Sequence, residues 1–180
     1  MSLLTLANAK EYIGISHVQK DTVLQIMLDM AEAWVEKAVE TIFHSGSIAQ
    51  TTEYVNGGQR NLWPSYKPIL SLVSVTERTS GDELDLDYIR WTTNRIFKDD
   101  ETFFATGSDE FEIVYTAGYN ASSLPAGLKL VILDLTYRAY WNLGGKKSDS
   151  GAGSDIDWEK IADSDIMQKL EPFIFRKGFF

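Results

Sequence analysis

VYTAGYNASSLPAGLKLVILDLTYRAYW, running from Val114 to Trp141, is the passage on which the fold turns. Its first residues are β-branched and aromatic and read as the end of a strand. Gly118 permits a turn, Ser122 or Ser123 is placed to cap, and Pro125 sits where a first-turn proline loses no hydrogen bond. From there through Asn142 the spacing predicts a helix, with Leu128, Val131, Ile132, Leu135 and Ala139 on one stripe. Leu130, Leu133, Tyr137, Tyr140 and Trp141 occupy much of the remaining circumference. A helix apolar on nearly all sides is either buried centrally or covered by a partner as well as by its own core. The passage has scarcely a side chain suited to catalysis.

Upstream of it, residues 50–117 carry short β-branched and aromatic runs with partial alternation: TEYV, ILSLVSVTE, LDYIRW and FEIVYTA. These read as strands. NGGQ (Asn56 to Gln59), SGDE (Ser80 to Glu83) and TTNR (Thr92 to Arg95) lie between them and supply residues tolerant of positive φ, as hairpin turns require. Pro64 and Pro68 bracket SYK, which is therefore an edge or a connector.

Before the strands, Thr5 is placed to cap a short helix through about Tyr12, and Gly14 is a natural stop. A longer amphipathic helix is expected from Asp21 to Phe43. Its apolar stripe is Val23, Met27, Met30, Trp34, Ala38 and Ile42, widened by Leu24, Ala31 and Val35. Its outer face carries Gln25, Asp29, Glu32, Glu36, Lys37 and Glu40. After the passage first quoted, Gly144 to Asp155 is Gly/Ser-rich and expected to be a flexible loop. A last short helical segment or pair of segments follows, with Trp158, Ile161, Ile166, Met167 and Leu170 apolar, Ser164 placed to cap its second half and Pro172 at its end. The tail FIFRKGFF, residues 173–180, holds four phenylalanines beside Arg176 and Lys177, and a tail this apolar should dock on its own domain or on another chain.

The expected class is therefore α+β: N-terminal helices, a central set of short antiparallel strands and hairpins, and C-terminal apolar helices packed as one domain over residues 1–180. At 180 residues, 44% of them hydrophobic, the chain is long enough to bury a real core. Cysteine is absent and only His17 and His44 are present, which excludes disulfides, thiolate metal sites and cysteine nucleophiles and leaves little for metal ligation or proton shuttling. The opening residues lack a basic stretch followed by an apolar run, and no stretch reaches the roughly 18 apolar residues of a membrane span, so a soluble intracellular protein with no membrane partner is expected.

Of the net charge of −9, a local balance of −7 falls between Glu77 and Glu112, where eleven acids face four bases. Phosphate neutralisation by Lys and Arg supplies most of the affinity of a nucleic-acid binder, and this sign is opposite. The block is either a solvated, solubilising face or a surface that repels phosphates.

No phosphate-binding glycine loop, dinucleotide fingerprint, zinc-protease helix or nucleophile elbow occurs. Adjacent acids at Asp99, Asp100 and Glu101 point in different directions from a turn. Asp82 to Asp87 alternates acids as a calcium loop does but lacks its glycine and distal glutamate. Asn120 to Ser122 matches a glycosylation acceptor only formally. No cofactor, metal or catalytic residue is assigned, and the chain is not expected to be an enzyme.

Taken in order, TLANAKEYIGI at the start, the long helix from Asp21 with Ala31 and Glu36, LWPSYKPILSLVSVT from Leu62, DYI at 87–89, YTAGY at 115–119, LPAGLKLVILDLTYRAYW and IMQKLEPFIFRKG form a pattern. It resembles the head-to-tail connector, or head-completion adaptor, family of tailed double-stranded DNA phages and prophages, over nearly the whole chain. The resemblance implies a ring of identical subunits beneath the portal vertex, joining the portal protein to a stopper or tail-completion protein around a passage for DNA that is not specifically bound. It implies residence at the virion head-tail junction, with assembly in the host cytoplasm. Some connectors of this type are almost wholly helical, whereas residues 50–117 here read as strands.

A ring needs two different patches per subunit, rich in apolar and aromatic anchors. The candidates are Tyr137, Tyr140 and Trp141 on the long helix and Phe173, Phe175, Arg176, Phe179 and Phe180 in the tail. Candidate channel-facing or solvated acids are Asp82, Glu83, Asp85, Asp99, Asp100 and Glu101. Two other readings stay open: a small intracellular binding or regulatory module, which requires a concave apolar pocket, and a carboxylate-based hydrolase, which requires converging carboxylates and a divalent ion.

Overall fold

The computed structural model describes residues 3–16, 18–141 and 161–174. His17, the glycine-rich stretch at 144–155, Trp158 and tail residues Phe175, Arg176, Phe179 and Phe180 lie outside them. The fold is α+β. Among the described residues the helices are α1 (Leu6–Ile13), α2 (Asp21–Ala38), α3 (Ala126–Ala139) and α4 (Ser164–Leu170). The strands are β1 (Phe43–His44), β2 (Gln50–Val55), β3 (Asn61–Leu62), β4 (Ile69–Glu77), β5 (Ile89–Trp91), β6 (Ile96–Lys98), β7 (Phe111–Ala117) and β8 (Tyr119–Asn120). They form two compact units, one from the residues up to Val39 together with Ala121–Ile174, the other from Glu40 to Asn120.

In the helical unit, α1 begins and ends as its sequence requires. The Thr5 hydroxyl accepts from the Asn8 amide at 3.2 Å while the Asn8 side chain accepts from the Thr5 amide at 3.0 Å, a reciprocal capping box. Gly14 then takes φ of +80°, the left-handed C-terminal cap. α3 buries Leu128, Val131, Ile132, Leu135 and Ala139, the stripe read from the sequence, and its most extensive helical neighbour is α2.

α2 departs from expectation in two ways. Its buried face is Leu24, Met27, Leu28, Ala31 and Val35, so the stripe is rotated and Val23 and Met30 stand outside the core. Glu32, expected on the outer face, is buried: its carboxylate accepts the backbone amides of Leu3 at 3.0 Å and Leu4 at 2.8 Å, fixing the segment that leads into α1. The helix also stops at Ala38 and does not reach Phe43. Glu40 adopts φ of +51°, and Phe43–His44 instead pair in parallel with Tyr119–Asn120. β-branched residues at 39, 41 and 42 weaken the helix there, and strand pairing takes the segment.

The sheet unit is organised on β7. Phe111, Ile113, Tyr115 and Ala117 alternate inward and are all buried, while β2 and β4 pair antiparallel on either side of it, giving the order β2-β7-β4. Leu72 and Val75 of β4 and Val55 of β2 complete this core with Leu62, Ile89, Ile96 and Phe104. A second small sheet has the order β3-β6-β5, and its β5–β6 hairpin is closed by the TTNR turn, where the Thr92 amide bonds the Arg95 carbonyl at 2.9 Å. LDYIRW splits into a 3-10 turn, Leu86–Tyr88, and strand β5. SYK is a connector, as its flanking prolines require. Beside it, the Ser65 amide meets Glu53 at 2.9 Å, and the same carboxylate accepts the Tyr115 hydroxyl at 2.7 Å. Burial, then the bond to Glu53, pushes the Tyr115 phenol well above its ordinary pKa.

Gly118 ends β7 at φ of +93°, and a Cβ there would stand 2.1 Å from the Ile42 carbonyl oxygen, so only glycine fits the turn of YTAGY.

Two outcomes follow for equilibrium urea unfolding. Glu32→Ala orphans two buried amides and should destabilise by about 1–3 kcal/mol, with hydrogen-exchange protection lost first at Leu3 and Leu4. Gly118→Ala should lose at least ~1–3 kcal/mol through backbone strain and the clash with Ile42, and an unchanged midpoint would contradict the geometry.

Candidate functional site

Tyr12 lies in α1, Tyr137 in the last turn of α3, and Trp141 just past the Tyr140 cap of that helix. The three rings and Tyr140 form a continuous ladder. Tyr12 meets Tyr137 edge-on at 6.4 Å, Tyr137 meets Trp141 at 6.2 Å, and Trp141 meets Tyr140 at 5.4 Å. Each contact is the offset or perpendicular geometry that the ring quadrupole favours. The Lys20 ammonium stands 5.8 Å from the Tyr140 ring centre, a cation on an aromatic face. Tyr140 is buried, whereas Tyr137 and Trp141 are 41% and 46% exposed. The ladder is thus ordered on one side by its own helices and open on the other.

Beneath it, α4 is held to α3 by charge. Arg138 reaches Asp163 at 2.9 Å, Asp165 at 3.1 Å and Asp134 at 3.4 Å. Lys169 reaches Asp165 at 2.7 Å and Asp134 at 3.2 Å. Asp163, one residue before the cap expected at Ser164, accepts the Ile166 amide and so starts α4. That amide, then Arg138, holds the Asp163 carboxyl below its ordinary pKa. Burial, and then Asp134, raises the Tyr12 phenol above its own. Phe173, the first aromatic of the tail, is half-buried in the same unit: a Cβ on Gly127 of α3 would come within 2.8 Å of its ring.

Of the expected interface residues, the structure therefore gathers Tyr137, Tyr140 and Trp141 and seats Phe173 on α3. The other four tail positions lie outside the described residues. Tyr12 and Lys20 were not singled out from the sequence, and nothing in their local spacing marks them; only the return of α3 against α1 brings them to the ladder.

All six acids singled out, Asp82, Glu83, Asp85, Asp99, Asp100 and Glu101, are exposed on the sheet unit. Asp85, Asp99 and Asp100 share an open groove of about 490 Å³ with Leu84, Tyr88, Ile89 and Lys98. Their carboxylates are committed locally. Asp85 accepts the Asp87 amide at 3.0 Å, Asp99 pairs with Arg90 at 3.0 Å, and Asp100 accepts the Thr102 amide at 3.0 Å and hydroxyl at 2.8 Å. The Thr102 bonds hold Asp100 below the ordinary carboxylate pKa. Among the described residues no group of three or more His, Cys, Asp or Glu side chains is placed to hold a metal ion, and no helix is long and apolar enough to cross a membrane. What the arrangement offers is contact surface: ordered aromatics on one unit and fixed negative charge on the other.

Residues 3–78 match the family model described as phage gp6-like head-tail connector protein. Among solved structures, the chain is similar to a protein in the neck of an empty GTA particle computed with C6 symmetry, at 16% identity and a TM-score of 0.62, covering 98% of this chain and 92% of that one. It is similar to one in the virion of a native gene transfer agent particle, at 15% identity and a TM-score of 0.62, with the same shares covered. A third lies in the neck of a native GTA particle computed with C12 symmetry, at 16% identity and a TM-score of 0.60, covering 97% and 90%. No curated protein matches the chain. The family model covers residues 3–78 of the 180, less than half of the chain, and the structural likenesses, at 15–16% identity, show a shared fold.

The charge cluster makes the seating of α4 pH-dependent. Because the folded-state pKa of Asp163 is lowered, its contribution is full above the ordinary carboxylate value of about 4 and disappears as the pH falls through the lowered one. Amide exchange in Ile166 to Leu170 should accelerate below pH ~4 ahead of the rest of the unit, and Asp163→Asn should show the faster exchange already at neutral pH.

Proposed function

We propose that this chain is a structural subunit of a phage-type head-tail connector, joining the portal protein to a stopper or tail-completion protein as one member of a ring around the DNA passage. The observation that carries the reading is the joint one: an N-terminal match to a connector family over residues 3–78, and a fold that follows proteins of GTA necks along 97–98% of this chain. The symmetry of those necks makes a ring the natural assembly for a chain of this fold, here of copies of this protein at the head-tail junction, put together in the host cytoplasm.

The residues suit such a role. Joining three kinds of protein requires surface and no chemistry, and the ordered features of this molecule are surfaces. Exposed acidic side chains repel phosphates, which is what a wall needs if DNA is to slide past it without being held. The proposal assigns Asp82, Glu83, Asp85, Asp99, Asp100 and Glu101 to that wall and the exposed Tyr137 and Trp141, with the tail aromatics, to protein contacts, while buried Tyr140 supports them from within the unit. No reaction is assigned to the chain.

The test is native mass spectrometry of the purified chain, alone and with its portal protein. A stoichiometric complex with the portal ring is expected, together with no retention of duplex DNA at physiological salt. A chain that neither self-associates nor binds the portal would overturn the reading.

A further inference from the structure

We propose, resting on the ring reading above, that the outward face of α2 is a subunit contact, received by the Tyr12–Tyr137–Trp141 ladder of the neighbouring copy. A surface helix normally sends its apolar residues to the core and its polar residues to water. α2 does the first without the second. Opposite Leu24, Leu28, Ala31 and Val35, the solvent side presents Val23, Ile26 and Met30, which are 45%, 52% and 38% exposed, continued by Ala33. Positions 23, 26, 30 and 33 fall within one narrow stripe at helical spacing. Gln25 and Asp29, joined at 2.8 Å, border the stripe on one side, and exposed Lys37, in line with it at helical spacing, closes it at the C-terminal end. An aliphatic stripe with a polar border is the anatomy of a helix face that meets another protein.

A second copy of this chain is the occupant that fits. A ring closes through a heterologous contact, in which one patch of each subunit meets a different patch of the next. The helical unit carries two such unlike patches, one aliphatic with a methionine, one aromatic. Methionine and branched aliphatic side chains pack well against ring faces and edges, and sulfur–aromatic contact favours this pairing over aliphatic against aliphatic. The acid at the border of the stripe, Asp29, and the cation at the border of the ladder, Lys20, are of opposite sign, as a head-to-tail contact between the two patches requires. A two-fold dimer through α2 alone would instead set Asp29 against its own copy.

The absence of cysteine makes the test direct, because any thiol introduced is the only one present. Ile26→Cys and Trp141→Cys chains are mixed under mild oxidation and compared with each chain alone; the mixture is expected to give disulfide-linked dimers in several-fold excess. In parallel, native mass spectrometry at tens of micromolar compares the unmodified chain with Ile26→Asp and Met30→Asp, whose exposed positions leave helix content and melting temperature unchanged. The unmodified chain is expected to be multimeric and both variants monomeric. Variants as multimeric as the parent, or linkage only between two Ile26→Cys chains, overturn the α2 contact while leaving the connector reading intact. A parent that stays monomeric overturns it as well, since the two patches then do not hold copies together; the connector reading is judged separately, by binding to the portal.

Discussion

α3 has more apolar surface than a single neighbour can cover, and the architecture of the helical unit follows from that constraint. Its stripe from Leu128 to Ala139 is taken by α2, and Tyr137 meets Tyr12 of α1. A third side is closed by α4, through an ion-pair network added to the burial of Ile166 and Leu170. Such a network suits a short seven-residue helix, which has too few buried side chains, Ile166 and Leu170 among them, to dock by burial alone. Leu130, Tyr137 and Trp141 still face outward after these covers are in place. The residue of that sum is the surface to which a partner is assigned.

In the sheet unit the controlling element is β7, which no sequence neighbour pairs with in the main sheet. Its partners β2 and β4 precede it by dozens of residues, so the sheet closes only when the chain between them has been looped out. That loop contains the small β3-β6-β5 sheet and most of the acids. The arrangement separates tasks: the alternation in β7 supplies the core, while the excursion carries most of its charge into solvent. The buried Glu110 carboxylate accepts the Thr79 amide at 3.0 Å, and half-buried Glu53 is engaged by Ser65 and Tyr115.

Much of this was legible in the residues. ILSLVSVTE and FEIVYTA coincide with β4 and β7 because continuous β-branched runs have one stable use, and the buried face of α3 follows directly from its spacing. Thr5 and Gly14 mark the ends of α1 because caps are local chemistry. What escaped the sequence was governed by distant contacts. α2 is apolar on two faces, so periodicity alone does not say which is inward, and Glu32 reads as surface until Leu3 and Leu4 are known to sit on it. The end of α2 depends on the pairing of Phe43 with Tyr119, 76 residues on. Of the candidate surface, the aromatic members on α3 were visible, but Tyr12, Lys20 and the back of α2 became candidates only when the helices were placed together.

The acids illustrate why position alone does not define a site. Clustered carboxylates in a groove suggest a cation site, yet here each of Asp85, Asp99 and Asp100 is already bonded to an amide, a hydroxyl or Arg90. A carboxylate whose lone pairs are spent on the backbone is a weak metal ligand but a persistent negative charge. Its field in physiological salt extends about 8 Å, so it acts on a phosphate only at close approach and does nothing to a duplex farther away. A surface of this kind neither recruits DNA nor holds it, and its effect appears only when something else has brought the duplex alongside. If the proposed connector reading holds, protein contacts, more than nucleic-acid contacts, supply the affinity that keeps the subunit in place.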